Sequence, residues 1–488
     1  MMAGCGEKDP EIPTNPVGNF AKTEIYGYVT CAGQGIEGVT VSDGVEVVRT
    51  NAEGYYSFIS KKKYGYVFVS IPGGYMSEKD GALPKFWQTI AGKTQKEEHN
   101  FKLTREDNNE HILIASTDYH LADRYSSKDI ISFENQFIKD VEKFLAANSG
   151  KKVYNIALGD QTWDIYWDQF SLVRYQAKAR SFPLPTFHVI GNHDYDMAET
   201  NDFKAENAYR KNLGPTFYSF NLGKCHYVVL DDMVYTNKIT NGEASRSSDT
   251  YVSDEQLAWV KALLKLIPKN ADIYIGQHSP TNGRAYLSGG KETDFIIKGQ
   301  DFLSLFGDRN VHVISGHNHI NMNFQYAPNV VEHNVAAICG TWWDAYHCKD
   351  GTPRGYKVYT KKDGILTWYY KSVGKDKDFQ YEIFLPGQTK KNPESVVVNL
   401  WDYDRNWTVM WFEDGVHKGH MKKVSEYNPL HTAEVEATFA KKGKPVTNWK
   451  RTTKSKHYFA AKPSEGAKKI TIIISNPFGK EWVENINL

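Results

Sequence analysis

The pattern of apolar and polar positions divides the chain into three parts, of which the first alternates with a period of two. Between Thr23 and about Leu103, short runs rich in β-branched and aromatic residues are separated by Gly, Asn, Asp and Lys. Such runs are typical of strands, and the separating residues are typical of turns. The pattern predicts a small antiparallel β-sandwich over residues 23–104.

Residues 105–334 show a different pattern of short, almost continuous apolar runs. HILIAS, KVYNIAL, TFHVI, CHYVVL, DIYIG and VHVIS are typical of strands that are buried on both faces. Between them lie helical periodicities, as at Leu257, Val260, Leu263 and Leu264. Alternating strands and helices predict a layered α/β domain, a β-sandwich flanked by helices.

Residues 335–488 return to strand-like patterns. VYTKKDGILTWYYKS (358–372) reads as two strands joined by a Lys-Asp-Gly turn, which indicates a hairpin. VVVNLWDY, WTVMWFEDG, AEVEATF and KKITIIIS indicate further strands. We therefore expect a second β-rich domain here, so that the α/β domain lies between two mainly antiparallel β domains.

The charge and cysteine content exclude several classes of function. The 59 basic and 58 acidic residues give a net charge of +1, so no bulk attraction to nucleic acid or to a membrane surface is expected. The five cysteines have no C-x-x-C spacing and so give no support for a disulfide framework or a zinc cluster. No apolar run is long enough for a transmembrane helix.

The N-terminus has a composition of its own. MMAGCG places small residues before Cys5, and a polar, proline-bearing run follows. This resembles the end of a bacterial lipoprotein signal, although the apolar stretch that should precede Cys5 is missing. We expect residues 1–22 to be a tether and the protein to lie in the periplasm or at the outer membrane or cell surface, anchored through lipidated Cys5. The alternative is an incidental cysteine in a cytoplasmic protein.

Polar side chains follow five strands of the central segment, at the point where each strand ends. Ligands bind in α/β sheets at the carboxyl ends of strands, so these turns are expected to converge. Asp, His and Asn are ligands for borderline divalent metals. The residues are Asp118 and His120, Asp160, Asn192 and His193, His278, and His317 and His319.

The glycines before the ligand candidates, and the spacing between those candidates, also indicate that the turns converge. Gly159, Gly191 and Gly316 stand directly before ligand candidates, where a residue without a β-carbon permits a sharp turn. Asp160 follows Asp118 by 42 residues and precedes Asn192 by 32. Each interval accommodates one crossover helix and a return strand.

The ordered set D-x-H, G-D, G-N-H-D, H and G-H-x-H resembles the calcineurin-like metallophosphoesterase family. GIEGVTV (35–41) and TNAEGYYSF (50–58) resemble a transthyretin-like or carboxypeptidase-regulatory domain, and both flanking β domains resemble accessory domains of bacterial members. The resemblance implies two divalent metal ions, of Mn, Fe, Zn or Ni. One would bind Asp118, His120, Asp160 and His319, and the other would bind Asp160, Asn192, His278 and His317.

The resemblance also implies hydrolysis of a phosphoester by in-line attack of a hydroxide that bridges the two metals. His193 would protonate the leaving oxygen or hold the phosphoryl group. In the protein-phosphatase branch an Asp three positions after the bridging Asp orients this histidine and an Arg follows it. Here Trp163 stands at that position, Asp164 is one residue late, and no Arg follows. We therefore expect no phosphoserine or phosphothreonine phosphatase, and we assign Asp164 the orienting role.

The substrate and the class of function leave alternatives open. Trp342, Trp343 and His347 are candidates for the wall of a substrate cleft, whereas aromatic residues at domain junctions usually pack. The motifs do not separate a nucleotidase or other monoesterase from a diesterase. A rival from another class is a surface-anchored protein that binds glycan or envelope through its β domains and has an inactive hydrolase core. Trp401, Trp407 and Trp411 would serve such binding, although we expect them in a sandwich core.

Overall fold

A computed structural model describes residues 21–283, Lys291 and residues 294–488. Cys5 and residues 1–20 of the expected tether lie outside this range, so the lipoprotein hypothesis stays a prediction. Within the described ranges, no helix has the length and apolar character needed to cross a membrane.

The N-terminal domain consists of short strands in two main sheets, as the period-two pattern predicts. It is not wholly antiparallel as expected, because Thr23–Cys31 pairs in parallel with Lys96–Glu98 and Phe101–Arg105. Thr23–Cys31 is its longest strand and pairs antiparallel with Tyr55–Ser60, where residues alternate between buried and solvent-facing positions. The remaining strands are Gln34–Gly35, Thr40–Ser42, Val47–Arg49, Tyr66–Val69, Tyr75–Ser77, Lys79–Asp80, Leu83–Pro84, Trp87–Thr89, Lys96–Glu98 and Phe101–Arg105.

The central domain contains two mixed sheets. In the first, Val153–Leu158 lies between His111–Ser116 and Thr186–Val189, and all three run parallel. All six residues of His111–Ser116 are buried, as the continuous apolar run predicts. The second sheet has the order Tyr218–Leu222, Cys225–Val229, Asp272–Gly276, Val311–Ser315, Val330–Asn334 and Met322–Ala327.

Helices connect the parallel strands of both sheets. Lys128–Ser132, π-helical Phe133–Ile138 and Lys139–Ala147 form one continuous helical stretch. Ser253 caps the helix Asp254–Leu264 because its side chain accepts a hydrogen bond from Gln256 N. The other helices here are Asp164–Tyr166 (3₁₀), Leu172–Ala179, Asp202–Ala205, Asn207–Leu213 and Gly299–Ser304.

Strand pairing within the first central sheet continues past the domain boundary that the sequence predicts at 334/335. The hairpin Gly355–Lys362 and Ile365–Ser372 belongs to the first central sheet, where Gly355–Lys362 pairs antiparallel with His111–Ser116. The sequence pattern reveals a hairpin but not its partner strand. The C-terminal sandwich begins only after this hairpin.

That sandwich consists of two four-stranded antiparallel sheets. One has the order Tyr381–Phe384, Val396–Leu400, Ser455–Ala461 and Lys422–Glu426, and the other has the order Val416–His420, Thr408–Glu413, Lys469–Ser475 and Glu481–Asn487. The prediction of a strand at AEVEATF is wrong, because this segment lies in the helix Pro429–Lys441. Asn428 caps that helix, and proline favours its first turn.

The tryptophans that suggested a glycan platform mainly fill cores. Trp401 is fully buried, and Trp407 is buried within the sandwich core. Trp411 is partly buried and packs against the same core. Their burial agrees with the expectation that these rings stabilise the domain.

Candidate active site

The strand ends of the two central sheets bring the predicted metal ligands together. Asp118 N donates a hydrogen bond to Gly159 O within the first sheet, and Gly316 N donates to His278 O within the second. His317 N donates to Asp118 Oδ2 and so joins the two sheets. The backbone of the turn at His317 thus holds the Asp118 carboxylate in place.

The first group of ligand atoms surrounds His120. His120 Nε2 lies 3.0 Å from His319 Nε2, 3.6 Å from Asp118 Oδ1 and 3.4 Å from Asp160 Oδ2. His319 Nε2 lies 3.3 Å from Asp118 Oδ1. These are the four residues that the family resemblance assigns to one metal.

The second group surrounds His278. His278 Nε2 lies 3.1 Å from Asn192 Oδ1, 3.3 Å from Asp160 Oδ2 and 3.2 Å from His317 Nδ1. The same oxygen of Asp160 therefore contacts both groups. A carboxylate placed in this way suits the bridging role that the resemblance assigns to it.

The donor set suits divalent cations. Asp118 Oδ1 and His120 Nδ1 are buried and have no hydrogen-bond partner in the described chain. Pairs of imidazole nitrogens face each other at about 3 Å, where either a proton or a cation must separate the lone pairs. Oxygen and imidazole ligands together fit Mn, Fe, Zn or Ni.

The electrostatics of the cluster favour positive charge. Burial would raise the pKa of the Asp118 carboxyl, but His319 and His120 hold it well below its usual range. Burial lowers the pKa of His120 to about 4, so its imidazole is neutral and able to coordinate. Burial alone would lower the pKa of His278, yet the Asp160 carboxylate raises it to about 10. The two carboxylates therefore draw a cation toward these rings.

Backbone carbonyl groups fix the orientation of His278 and His319 by hydrogen bonds to Nδ1. His278 Nδ1 donates to Leu158 O at 2.7 Å, and His319 Nδ1 donates to Gly340 O at 2.9 Å. Each bond leaves Nε2 directed into the cluster. Such outer hydrogen bonds commonly set the tautomer of metal-binding histidines.

The backbone at the ligands is unusual. Left-handed conformations, with φ between 43° and 68°, are costly for residues other than glycine and cluster at functional sites. Each one turns the chain sharply as it leaves a strand. They occur at Asp118, His120, Asp160, His317 and His319.

The glycines act mainly through close approach. Gly159 has a positive φ of 95°, as a sharp turn requires. Gly191 and Gly316 do not have a positive φ. A β-carbon at 191 would overlap with Asp160, and one at 316 would overlap with the Thr117 hydroxyl. Glycine is needed at 191 and 316 because there is no room for a β-carbon, not because the backbone is left-handed.

His193 lies beside the first group, and Asp164 contacts it. The ring of His193 is 4.7 Å from that of His120. His193 Nδ1 lies 2.8 Å from Asp164 Oδ1, and the carboxylate accepts this hydrogen bond. The orienting role assigned to Asp164 has the geometry it needs, although the residue is one position late.

Arg246 reaches the same pair, and no sequence motif pointed to it. Its Nη1 lies 2.9 Å from His193 Nε2 and 3.1 Å from Asp164 Oδ1. Arg246 stands in a hairpin arm, residues 233–250, between the second-sheet strand Cys225–Val229 and the helix Asp254–Leu264. A lone arginine in a polar segment carries no local signal of such a contact.

Two buried aspartates position the turns without being ligand candidates. Asp194 accepts hydrogen bonds from Gly191 N and Thr162 N, joining the two loops that carry Asp160 and Asn192. Burial and the nearby Asp160 carboxylate raise the pKa of Asp194 to about 7. Asp232 accepts from the backbone nitrogen of His278 at 2.9 Å. Asp194 explains why the G-N-H-D turn ends in a carboxylate.

Of the three cleft candidates, only Trp342 lies at the metal-ligand cluster. Its ring stacks on His319 with centroids 4.1 Å apart. Trp343 is buried and donates from its indole nitrogen to Tyr119 O, so it packs. His347 is buried and pairs with Glu434 of the C-terminal domain at 2.7 Å.

Two further residues at the cluster escaped the sequence motifs. The side chain of Cys339 lies with His120 and His319 in a group of ligand atoms within 4.8 Å of one another. Trp449, from the C-terminal domain, packs edge-on against Trp342 at 4.5 Å. Neither stands in a recognisable pattern, because each reaches the site through tertiary packing.

Solved structures that match parts of this chain include several phosphoesterases. A dimetal phosphatase from Danio rerio is 12% identical, with a TM-score of 0.38 over 54% of this chain and 96% of that one. A purple acid phosphatase from yellow lupin is 12% identical, with a TM-score of 0.35 over 69% and 67%. A 5'-nucleotidase from Candida albicans is 14% identical, with a TM-score of 0.32 over 53% and 50%. No curated protein matches the sequence.

Family comparison covers nearly the whole described chain. Residues 113–321 match the calcineurin-like phosphoesterase family. Residues 23–106 match the N-terminal domain and residues 332–482 match the C-terminal domain that accompany calcineurin-like phosphoesterases. The chain therefore belongs to the calcineurin-like phosphoesterase family and is a metal-dependent phosphoesterase with both accessory domains.

Proposed function

We propose that this protein hydrolyses a phosphoester with the help of two divalent cations held by the seven predicted ligands. The observation that carries the proposal is the position of Asp160 Oδ2, 3.4 Å from His120 Nε2 and 3.3 Å from His278 Nε2. One carboxylate oxygen between two imidazole groups suits a shared ligand. Bound cations would supply the charge that activates water and polarises phosphoryl oxygens.

His193 is the proposed proton donor to the leaving oxygen. Asp164 accepts from Nδ1 and stabilises the protonated imidazole, whose Nε2 then carries the transferable proton. Water attacks phosphorus on the side opposite the leaving oxygen. The side chain of Asp164 is fully buried, which strengthens its interaction with the imidazole.

Hydrolysis rates of a monoester and a diester show which class of substrate the protein prefers. Protein stripped of metal is reconstituted with Mn, Fe, Zn or Ni in turn, and hydrolysis of p-nitrophenyl phosphate and bis-p-nitrophenyl phosphate is measured. Metal content is measured beside activity. We expect two equivalents of metal, and we expect Asn192→Ala and His278→Ala to retain about one.

Matched variants make the result specific. His193→Ala is expected to lower turnover by about 10²–10⁴-fold while keeping both metals. His417→Ala removes an exposed histidine of the C-terminal domain and should match the parent. If no metal restores turnover of either ester although two metals bind, the enzyme proposal fails for simple esters. The rival binding function then gains support.

We also propose, from the N-terminal sequence alone, that Cys5 carries a lipid and anchors the protein in the periplasm or at the outer membrane or cell surface. Labelling with radioactive palmitate in a bacterial host, with Cys5→Ala beside it, tests this. Label that persists in the variant, or never appears in the parent, contradicts the proposal.

A further inference from the structure

The hairpin arm presents one cation to the site. The arm consists of two short ladders, Met233–Tyr235 with Ser248–Thr250 and Lys238–Thr240 with Glu243–Ser245. Its outer ladder is largely exposed. Arg246 follows the outer ladder, and its side chain turns inward so that only 32% of it is exposed.

Arg246 is anchored through one nitrogen. Nη1 lies 3.1 and 3.2 Å from the two carboxylate oxygens of Asp164. It also lies against the His193 ring, in contact with Nδ1 and 2.9 Å from Nε2. Asp164 has other partners, since it also accepts from His193 Nδ1 and from Ile165 N. The arginine is therefore not needed to satisfy a buried carboxylate.

The rest of the guanidinium remains available. Within the part of the chain that the structure describes, Nε and Nη2 of Arg246 have no hydrogen-bond partner. These two nitrogens form the planar fork that binds two oxygens of a phosphoryl group. The nearby Arg124 is already committed, because it pairs with Asp129 and donates to Trp342 O.

Arg246 lies beside the position that a substrate oxygen would take. Its Nη1 lies 2.9 Å from His193 Nε2. In the proposed function Nε2 donates to the leaving oxygen, so that oxygen would replace this contact and lie beside the guanidinium. A phosphoryl group bound there would lie within reach of the fork. We propose, resting on the proposed function, that Arg246 binds the phosphoryl group of the substrate from the arm.

The test compares three variants of the full-length, metal-loaded protein. Arg246→Ala removes the guanidinium, and Arg246→Lys keeps the charge without the fork. Lys238→Ala removes an exposed cation from the same arm and serves as the matched control. Binding of inorganic phosphate is measured by calorimetry, and kcat and KM are measured with p-nitrophenyl phosphate. Thermal melting and metal content show whether each variant keeps its fold and its site.

We expect Arg246→Ala to weaken phosphate binding by at least about 10-fold and to lower kcat/KM by about 10²–10³-fold. Arg246→Lys should recover part of both losses, and Lys238→Ala should match the parent. Phosphate affinity of Arg246→Ala within about twofold of the parent overturns the proposal, even if turnover falls, because Arg246 then only positions His193. Failure of the parent to hydrolyse either ester rejects the proposed function and leaves the calorimetric comparison to decide on Arg246.

Discussion

Gly191 and Asp160 lie so close together that a β-carbon at position 191 would overlap with the backbone nitrogen of Asp160. Asp160 N is fixed backbone and cannot rotate away. Asp160 is also the carboxylate that contacts both groups of ligand atoms. The turn that carries Asn192 therefore depends on the turn that carries Asp160.

Gly191→Ala is accordingly expected to lower the free energy of unfolding by about 3 kcal/mol and to reduce metal content below two equivalents. Thermal melting and metal analysis provide the measurements. Gly364→Ala is the control, because Gly364 has a φ of 75° but a β-carbon there would meet nothing within 4 Å. It should cost only about 1 kcal/mol and leave metal content unchanged. Equal effects of the two substitutions would contradict the close-approach argument.

Asp164 and His193 are expected to act as one unit. Asp164→Asn should lower kcat/KM by about 10²-fold or more, since the amide no longer stabilises a protonated imidazole. The double variant with His193→Ala should be no worse than His193→Ala alone, because the carboxylate acts through the ring. If the double variant loses as much kcat/KM, in free energy, as the two single variants together, then Asp164 acts independently of His193.

The pair formed by His347 and Glu434 predicts a pH-dependent contribution to stability. Burial alone would lower the pKa of His347, but Glu382 and Glu434 raise it to about 9. Between the ordinary histidine pKa of about 6.5 and pH 9, His347 is therefore protonated in the folded protein but largely neutral in the unfolded chain. The stabilisation is complete below pH 6.5 and disappears as the pH rises through about 9.

His347→Gln should thus lower the melting temperature most at pH 5–6, and the difference from the parent should shrink toward pH 10. Glu434→Gln is the matched partner variant and should show the same trend. A difference that stays constant from pH 5 to pH 10 would mean that the pKa of His347 does not change on folding.

Trp449 brings the C-terminal domain to the rim of the active site. The residue is 49% exposed, and its ring packs on Trp342, which in turn stacks on His319. Trp449→Ala is expected to reduce kcat/KM for bis-p-nitrophenyl phosphate by about 10-fold, because a second aryl group loses an aromatic contact. Phosphate affinity should change little. Phe478→Ala removes an exposed aromatic elsewhere in that domain and should have no effect.

The sequence predicted the ligand cluster because its chemistry is local. The seven candidate ligands stand within a few residues of the ends of five strands, and strand order then brings these ends together. Asp164 was also within reach of this reasoning, since it stands four positions after Asp160. His193 and its turn follow the same rule.

Arg246 and Trp449 required the structure. Arg246 stands 82 positions after Asp164, in a polar arm without any pattern. Trp449 reaches the site only because the C-terminal domain folds back onto it. His347 was expected in the cleft, yet its partner Glu434 lies 87 positions away in a helix that the pattern presented as a strand. Alternating AEVE suits either period, and only Asn428 and Pro429 before it signal a helix.

The hairpin Gly355–Lys362 and Ile365–Ser372 has a consequence for how this protein can be divided or exchanged between genes. It covers one side of His111–Ser116, whose backbone would otherwise form an open sheet edge prone to intermolecular pairing. A gene fragment that stops at residue 334 would encode an aggregation-prone product. The hairpin must therefore stay with His111–Ser116 wherever the chain is divided.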